Sequence, residues 1–389
     1  MTYKLLLSGE RADFTTLELD VGKKELRILA NHPAPFNASW VEPASSQGGV
    51  DSLIGLSEGD EAGLLYTFEI DHAGKAYRIT SQQPTLGAPG HFATLWDGSG
   101  VALATYLGGS VAIYPIESDK GAPLLTDAPR QEVLPEFPYA STELGYGPNK
   151  GRQRRCHVHQ ILEDRRGNLY APDLGSDRVW VLRRDDANLK ISCLLQCPPE
   201  TGPRHAVLSP DASLMYVIGE LSHTVLAFDL SDIVIAIPAQ VIQAIEGFAP
   251  NIIPPNVHPS HQFMMDSSEI CLHATIPNVL YVSNRWERHI SQREPHLKNV
   301  PKELPPGDAI AIVLLSDDGR RVEEVKHVRT NVDVIRGMRL SDDGRYVVRG
   351  QEGGGIEAYK ISGEKGDAWR LVAGLSEGLE SGIKHAVWL

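Results

Sequence analysis

A short pattern of strands and turns recurs along the whole chain of 389 residues. Each copy has an apolar strand, a turn rich in Asp, Gly and Pro, and further β-rich strands. Clear copies begin at residues 204–208 (RHAVL) and 336–340 (RGMRL). A unit of about four short strands that repeats every ~40–50 residues is typical of a β-propeller, whose blades surround a central opening. The sequence therefore predicts an all-β fold in which polar residues from separate blades gather near one axis.

Two sets of strands, counted separately, indicate the number of blades. The predicted innermost strands lie at residues 37–40, 91–95, 157–162, 205–209, 261–265, 335–340 and 385–389, and seven outer strands accompany them. The last inner strand ends the chain, whereas the first strands have no inner strand before them. Strands from the two ends would complete one blade and leave no open sheet edge. We expect one domain over residues 1–389, a seven-bladed β-propeller closed by strands from both termini.

The composition limits the kinds of partner. The net charge is −13 and the charges are interspersed, which argues against nucleic acid because phosphate binding requires clustered Lys and Arg. No apolar run approaches the about 18 residues of a membrane span, and the apolar start of the chain is too short for a signal sequence. The four cysteines are too few and too scattered for a disulfide scaffold. We expect a cytoplasmic protein that binds neither nucleic acid nor membrane, with its oligomeric state left open.

Four motifs along the chain are distinctive. They stand at residues 157–159 (HVH, continued through 167–179), 202–205 (GPRH), 216–222 (YVIGELS) and 281–285 (YVSNR). In these motifs the chain resembles the seven-bladed lactonase family, which includes the propeller-type 6-phosphogluconolactonases and the fungal carboxy-cis,cis-muconate cyclases. The resemblance extends over residues 145–362 and is weak before residue 130, where only the strand pattern remains.

The resemblance implies a central pocket and assigns roles to residues of this chain. It implies that the catalytic residues are His159, Arg204, Glu220 and Arg285. It also implies that His157 and Arg336 bind the substrate. The His-Pro-His of the family is His-Val-His here, which keeps both imidazoles. The Arg-Gly pair at Arg336 is a feature of the phosphogluconolactonases rather than of the muconate cyclases.

Opening a lactone requires an activated water, stabilisation of an oxyanion and a proton for the leaving alkoxide. Arg204 and Arg285 suit the oxyanion, because a planar guanidinium donates two parallel hydrogen bonds. We expect Glu220, held ionised by these arginines, to activate the water and His159 to donate the proton. If Glu220 is locked in a salt bridge, His159 becomes the base. Alternatively, Arg204 and Glu220 lie on adjacent strands of one blade and simply pair with each other.

Neighbouring residues have structural interpretations. By strand alternation, His205 points away from Arg204 and packs in the interior. Asp173 is expected to hold a turn or nearby backbone. The long segments 143–150 and 286–307 either line the mouth of the ring or lie disordered, and the first is the expectation. His157 and His159 have a spacing that could bind a metal, but no suitable oxygen ligands accompany them, so we expect no metal and no other cofactor.

Three functions remain as hypotheses. The first is a lactone hydrolase acting on a small anionic sugar lactone, 6-phosphogluconolactone above all. The second is a lactonising enzyme of the carboxy-cis,cis-muconate cyclase type. The third is a non-catalytic propeller that binds a peptide or protein, which predicts mutually paired charges in the channel.

Overall fold

The computed structural model describes all residues except 74, 120, 186–187, 232, 234–239, 291–295, 297, 300–302, 342 and 350–353. Strands account for nearly all of its regular structure. In chain order they are β1 (Thr2–Gly9), β2 (Asp13–Asp20), β3 (Glu25–Pro33), β4 (Trp40–Gln47), β5 (Val50–Ser57), β6 (Ala62–Asp71), β7 (Ala76–Leu86), β8 (Pro89–Thr94), β9 (Gly100–Thr105), β10 (Val111–Asp119), β11 (Ala122–Leu125), β12 (Gln131–Val133), β13 (Leu162–Glu163), β14 (Asn168–Asp173), β15 (Arg178–Asp185), β16 (Asn188–Gln196), β17 (Pro203–Leu208), β18 (Leu214–Gly219), β19 (Val225–Asp229), β20 (Gln240–Gln243), β21 (Asp266–Leu272), β22 (Val279–Arg285), β23 (Ala309–Leu315), β24 (Val322–Arg329), β25 (Met338–Leu340), β26 (Arg345–Arg349), β27 (Ile356–Ser362), β28 (Ala368–Leu375) and β29 (Ile383–Trp388).

In the described part of the chain these strands form seven sheets. The sheets are β29-β1-β2-β3, β4-β5-β6-β7, β8-β9-β10-β11 with β12 beside β10, β13-β14-β15-β16-β20, β17-β18-β19, β21-β22-β23-β24 and β25-β26-β27-β28. Neighbouring strands are antiparallel, apart from the parallel pair β16 and β20. The chain is an all-β propeller, as the recurring pattern predicts. Among the described residues there is no apolar helix of the length that a bilayer requires.

Each sheet packs against the next through an apolar layer. The innermost strands contact one another in the order β29, β4, β8, β13–β14, β17, β21 and β25, and β25 in turn contacts β29. Seven apolar clusters of the described residues lie between neighbouring sheets. In one of them Leu5 and Leu17 pack against Ile356 and Ala373 of the β25–β28 sheet. Each fully buried Leu or Ile of this kind stabilises the fold by ~1.5–3 kcal/mol.

Residues from the two ends of the chain share one sheet. Strand β29 pairs antiparallel with β1, so that Leu5 lies opposite Trp388 and Leu7 opposite Ala386. At Gly9 the register shifts, and the backbone comes so close to its neighbour that a Cβ atom would lie 2.0 Å from the Gly382 carbonyl oxygen. Only glycine fits there, and its φ of +154° is also one that other residues rarely adopt.

One predicted inner strand is wrong and two others are displaced. Residues 261–264 belong to a 3-10 helix, Pro259–Met264, which Met265 follows in extended conformation, and the inner strand β21 begins only at Asp266. The Ser260 N–H donates to His258 Nδ1 at 3.2 Å and so caps this turn, while Pro259 favours a helical start. A short apolar run cannot distinguish such a turn from a strand by periodicity alone. The strands predicted at residues 37–40 and 157–162 begin only at their last residues, Trp40 and Leu162.

Candidate active site

The polar residues of the sequence motifs lie at one end of the sheets. Arg204 is at the start of β17, and Glu220 directly follows the end of β18, its antiparallel partner. Asp266 and Arg285 are opposite each other at the start of β21 and the end of β22. Because antiparallel neighbours bring the start of one strand beside the end of the other, these side chains collect at the same edge.

Glu220 lies at the centre of a cluster of three arginines. Its Oε1 is 2.5 Å from Arg152 Nη2 and 3.1 Å from Arg285 Nη2, and its Oε2 is 3.3 Å from Arg204 Nη1. Glu220 and Arg204 are each only 3% exposed. Burial would raise the pKa of Glu220, but the charges of Arg285, Arg204 and Arg152 outweigh burial and hold it far below its ordinary value. The carboxylate therefore stays ionised, and both of its oxygens are occupied.

Arg204 connects this cluster to His159. Arg204 Nη1 makes a hydrogen bond to His159 Nε2, and Arg204 Nε donates to the Ser268 carbonyl oxygen at 3.0 Å. A guanidinium only donates, so Nε2 of His159 is the acceptor and the ring proton lies on Nδ1. Burial, followed by the charge of Arg204, lowers the pKa of His159 well below its ordinary value. His159 is therefore neutral at neutral pH and is chemically a base rather than a proton donor.

His157 is close to His159 but has its own partners. Its Nδ1 hydrogen-bonds to the Tyr106 carbonyl oxygen at 2.8 Å, and its ring stacks on Tyr106 with centroids 4.4 Å apart. The same tyrosine ring meets His159 edge-on at 5.7 Å. The His157 N–H donates to Asp173 Oδ1 at 2.6 Å, and Trp180 Nε1 donates to Asp173 Oδ2 at 2.9 Å. This confirms the prediction that Asp173 holds nearby backbone, and it places the His157 ring.

Arg336 enters from the β25 side and has an acidic partner. Arg336 Nη2 is 3.2 Å from Glu58 Oε2, and Lys384 Nζ is 3.6 Å from the same oxygen. Burial would raise the pKa of Glu58, but Arg336 and Lys384 lower it overall. The Ser268 hydroxyl donates to the Arg336 carbonyl oxygen at 2.6 Å, and the Ser268 carbonyl holds Arg204. Ser268 thus fixes the two arginines relative to each other.

The structure brings the six predicted residues together, and it adds others that the sequence did not identify. Arg152 lies two residues after the predicted segment 143–150 and reaches Glu220, so the chain just after that segment contributes to the cluster. The nearby Gly- and Pro-bearing run was a signal, but the basic run 152–155 is typical of a solvated surface. Asp266 lies 3.5 Å from Arg152 Nη1 and accepts from Trp286 Nε1 at 3.0 Å, so Trp286, the first residue of the segment 286–307, also reaches this site. Much of the remainder of that segment lies outside the described residues.

The prediction for His205 is wrong. The register between β17 and β18 shifts between Pro203 and Ala206, which marks a bulge. A bulge places successive side chains on the same side of a strand, so Arg204 and His205 both point towards the axis. His205 Nε2 lies 3.2 Å from His159 Nδ1. His205 is therefore part of the polar cluster rather than of the apolar packing.

No group of three or more His, Cys, Asp or Glu residues within the described ranges could hold a metal ion. The four cysteines are free thiols. The chemistry that the arrangement can perform consists of hydrogen-bond donation from guanidinium groups beside a neutral imidazole. Such a set suits a reaction in which an oxyanion forms while a proton is taken up nearby.

The chain matches the family model described as lactonase, 7-bladed beta-propeller, over residues 7–378. It belongs to this lactonase family. A relative named "Probable 6-phosphogluconolactonase", from Arthroderma benhamiae, is 26% identical over 358 residues, 90% of this chain and 80% of the relative. The "6-phosphogluconolactonase" of Bacillus subtilis is 25% identical over 216 residues, 55% of this chain and 57% of the relative.

Solved structures support the fold of this lactonase family member over its whole length. The periplasmic gluconolactonase of Pseudomonas aeruginosa superposes with a TM-score of 0.76, covering 100% of this chain and 99% of that one. The sequence identity is 18%, so this likeness concerns the architecture.

Proposed function

We propose that this protein hydrolyses a small anionic sugar lactone, and that 6-phosphogluconolactone is its substrate. The observation that carries the proposal is the contact between the Glu220–arginine cluster and the neutral imidazole of His159. In the proposal the guanidinium groups are the oxyanion donors and the neighbouring imidazole is the base, and the membership of the chain in the lactonase family supports this assignment. Two relatives named as 6-phosphogluconolactonases support the choice of substrate.

In the proposed reaction, His159 Nε2 takes a proton from water while the water oxygen forms a bond to the lactone carbonyl carbon. The carbonyl oxygen becomes an oxyanion, to which Arg204 and Arg285 donate hydrogen bonds. Arg204 leaves His159 Nε2 when the carbonyl oxygen binds, which frees Nε2 for the water. The ring C–O bond then breaks, the alkoxide takes the proton from His159, and the products are a hydroxy acid and neutral His159. Each such donor contributes about 2.7–4 kcal/mol, and the base about 10²–10⁴-fold.

Glu220 has a positioning role in this scheme. Its two oxygens are held by three guanidinium groups and its pKa is lowered, so it has little tendency to take a proton from water. The alternative expected for a locked Glu220 therefore applies, and His159 is the base. Glu220 orients Arg204 and Arg285 and balances part of their charge.

The phosphate of the substrate binds to Arg336 and Lys384 in this proposal, and His157 borders the sugar. Arg336 and Lys384 both form ion pairs with Glu58, so a phosphate would compete with this carboxylate for them. Lys384 is the residue next to His385 in β29, and it was not identified from the sequence.

We also propose that the seven sheets are the blades of one closed domain over residues 1–389, completed by strands from both termini. The pairing of β29 with β1 and the contact between β25 and β29 support this closure. The cytoplasmic location stays a prediction, and one protein of similar structure is a periplasmic enzyme.

A second candidate is the non-catalytic scaffold, because the charges around Glu220 are mutually paired as that hypothesis predicts. Neither of the two relatives named above supports the muconate cyclase alternative. The deciding experiment measures hydrolysis of 6-phosphogluconolactone and of unphosphorylated gluconolactone by wild-type protein and by His159→Gln. We expect catalysis above the spontaneous rate, a preference for the phosphorylated lactone and a loss of about 10²-fold or more in the variant. If the wild type gave only the spontaneous rate on both lactones, the scaffold would be the better description.

A further inference from the structure

A line of hydrogen bonds continues from His159 away from the arginine cluster. We infer that Glu269 and His205 are positioning residues, which form a relay that fixes the tautomer of His159 and makes its Nε2 more basic. The inference rests on the proposed function in one respect, since it deepens the role of His159 as the base.

The relay has one consistent direction. Glu269 Oε1 lies 2.8 Å from His205 Nδ1, His205 Nε2 lies 3.2 Å from His159 Nδ1, and His159 Nε2 contacts Arg204 Nη1. An ionised carboxylate only accepts and a guanidinium only donates, so both ends of the line are determined. The proton of His205 must lie on Nδ1 and that of His159 on Nδ1, because each ring then donates towards Glu269.

Two bulges bring the relay to the axis. The register of β17 against β18 shifts between Pro203 and Ala206, and that of β21 against β22 shifts between Ser267 and Ile270. At each bulge two successive side chains do not alternate between the two faces of the sheet. His205 and Glu269 can therefore face each other across neighbouring sheets. Bulges next to active sites commonly re-aim side chains in this way.

Glu269 itself is held by the backbone around it. The Glu269 N–H donates to Ser283 Oγ at 3.0 Å, and the Ile270 N–H donates to Glu269 Oε1 at 3.1 Å. The rings of Trp40 and His91 meet His205 edge-on at 5.8 Å and 5.7 Å. Glu269 is 4% exposed and His205 1%, so water does not weaken the hydrogen bonds between them.

The proposed reaction creates a positive charge on His159, and the relay stabilises this charge. When His159 takes a proton it becomes a cation beside other cations. The charged and titratable groups that act on it are Arg204, His205, Arg336 and Arg285, with the Tyr106 ring against it. The negative charge of Glu269, acting through the aligned His205, offsets part of this repulsion. Without Glu269 the protonated state of His159 would be less stable, and proton transfer from water would be slower.

The test compares Glu269→Gln, Glu269→Asp and a matched control, Glu357→Gln. Glu357 in β27 is also buried, at 5% exposure, but it accepts hydrogen bonds from Asn331, in the loop after β24, and from Tyr359 of its own strand. We expect Glu269→Gln to lower kcat by about 10²-fold with little change in KM, and to move the acid limb of kcat/KM to lower pH. Glu269→Asp should recover part of the activity, and Glu357→Gln should change stability but neither kcat nor the pH profile.

A second measurement reports on the relay without activity. In protein labelled with ¹⁵N-histidine, nitrogen chemical shifts should show the proton on Nδ1 of both His159 and His205, and this pattern should be lost in Glu269→Leu, which removes the acceptor for His205. The relay is overturned if wild-type His159 carries its proton on Nε2, or if Glu269→Gln keeps the wild-type kcat and pH profile. If the wild type opened no lactone although both tautomers were as expected, the proposed function would fail while the relay geometry stood.

Discussion

The channel contains two buried polar layers that differ in charge. Around Glu220, burial coexists with ionised groups, because each charge has an opposite charge within 4.0 Å. In the neighbouring layer, His91, His159 and His205 are equally buried, and burial lowers the pKa of each. Similar burial thus gives charged donors in one layer and neutral bases in the other. The difference is due to the number and sign of the neighbouring charges: three guanidinium groups surround Glu220, whereas His159 faces cations and His205 has a single carboxylate against it.

This division assigns one chemical task to each layer. The charged layer can stabilise an oxyanion because its guanidinium groups are already oriented and dehydrated. The neutral layer can take a proton because the imidazole of His159 has a lone pair on Nε2 beside those donors. Arg204 is the residue that touches both layers, through Glu220 and through His159.

The largest effect is expected from a substitution that disrupts the charged layer. Glu220→Gln leaves three guanidinium groups around a neutral amide, so we expect the free energy of unfolding to fall by about 3–5 kcal/mol. Urea denaturation measures this loss. Activity should fall as well, because the arginines lose their common anchor. A variant with full stability and no activity would instead make Glu220 the water-activating base.

Arg204→Ala removes the residue that contacts both layers. Loss of an oxyanion donor should lower kcat about 10²–10³-fold on 6-phosphogluconolactone, measured above the spontaneous opening of the lactone. Arg27→Ala is the matched control, because Arg27 is 58% exposed and pairs only at the surface with Glu18. Equal rates for both variants would contradict the catalytic interpretation of the cluster.

As the pH falls, the protein should lose stability first through the histidines of the neutral layer and then through Glu220 of the charged layer. The pKa values of His91, His159 and His205 are lowered from 6.5 in the folded protein, so below about pH 6.5 the unfolded chain binds more protons. Stability should therefore be level above this pH and fall below it, by up to ~1.4 kcal/mol per pH unit for each histidine. The Glu220 contribution should be lost only further down, below its ordinary pKa of 4.5.

Chemical denaturation from pH 8 to pH 4 tests this order, and His91→Phe should reduce the slope of the first stage. A stability that stayed level down to pH 5 would show that the histidines are not kept neutral by the fold.

The smallest expected effect concerns substrate binding at the edge of the charged layer. Glu58→Gln removes the carboxylate that competes for Arg336 and Lys384, so KM for the phosphorylated lactone should fall roughly fivefold, equal to ~1 kcal/mol. KM for unphosphorylated gluconolactone is the internal control and should not change. A parallel change for both lactones would place the phosphate elsewhere.

Strand periodicity and the recurring pattern were sufficient to predict the all-β propeller. The nearness of Arg204, Glu220, His159 and Arg285 was instead what the resemblance to the lactonase family implied. Arg204, Glu220 and Arg285 lie at or next to the start or the end of a strand, and antiparallel pairing brings such positions of one sheet to the same edge, whereas His159 lies in the segment before β13. The apolar alternation also located most inner strands. These features depend on local rules, which one sequence reveals.

Tertiary structure decided the rest. The bulges near Pro203 and Ser267 break strand alternation, so the inward direction of His205 and Glu269 could not be read from the period of two. Arg152 arrives from a loop, and its ion pair with Glu220 joins residues 68 positions apart. Whether a buried carboxylate is a base or an anchor, and whether a buried imidazole is neutral, depends on which charges lie within a few ångströms. Those distances are set by the packing of neighbouring sheets around the axis.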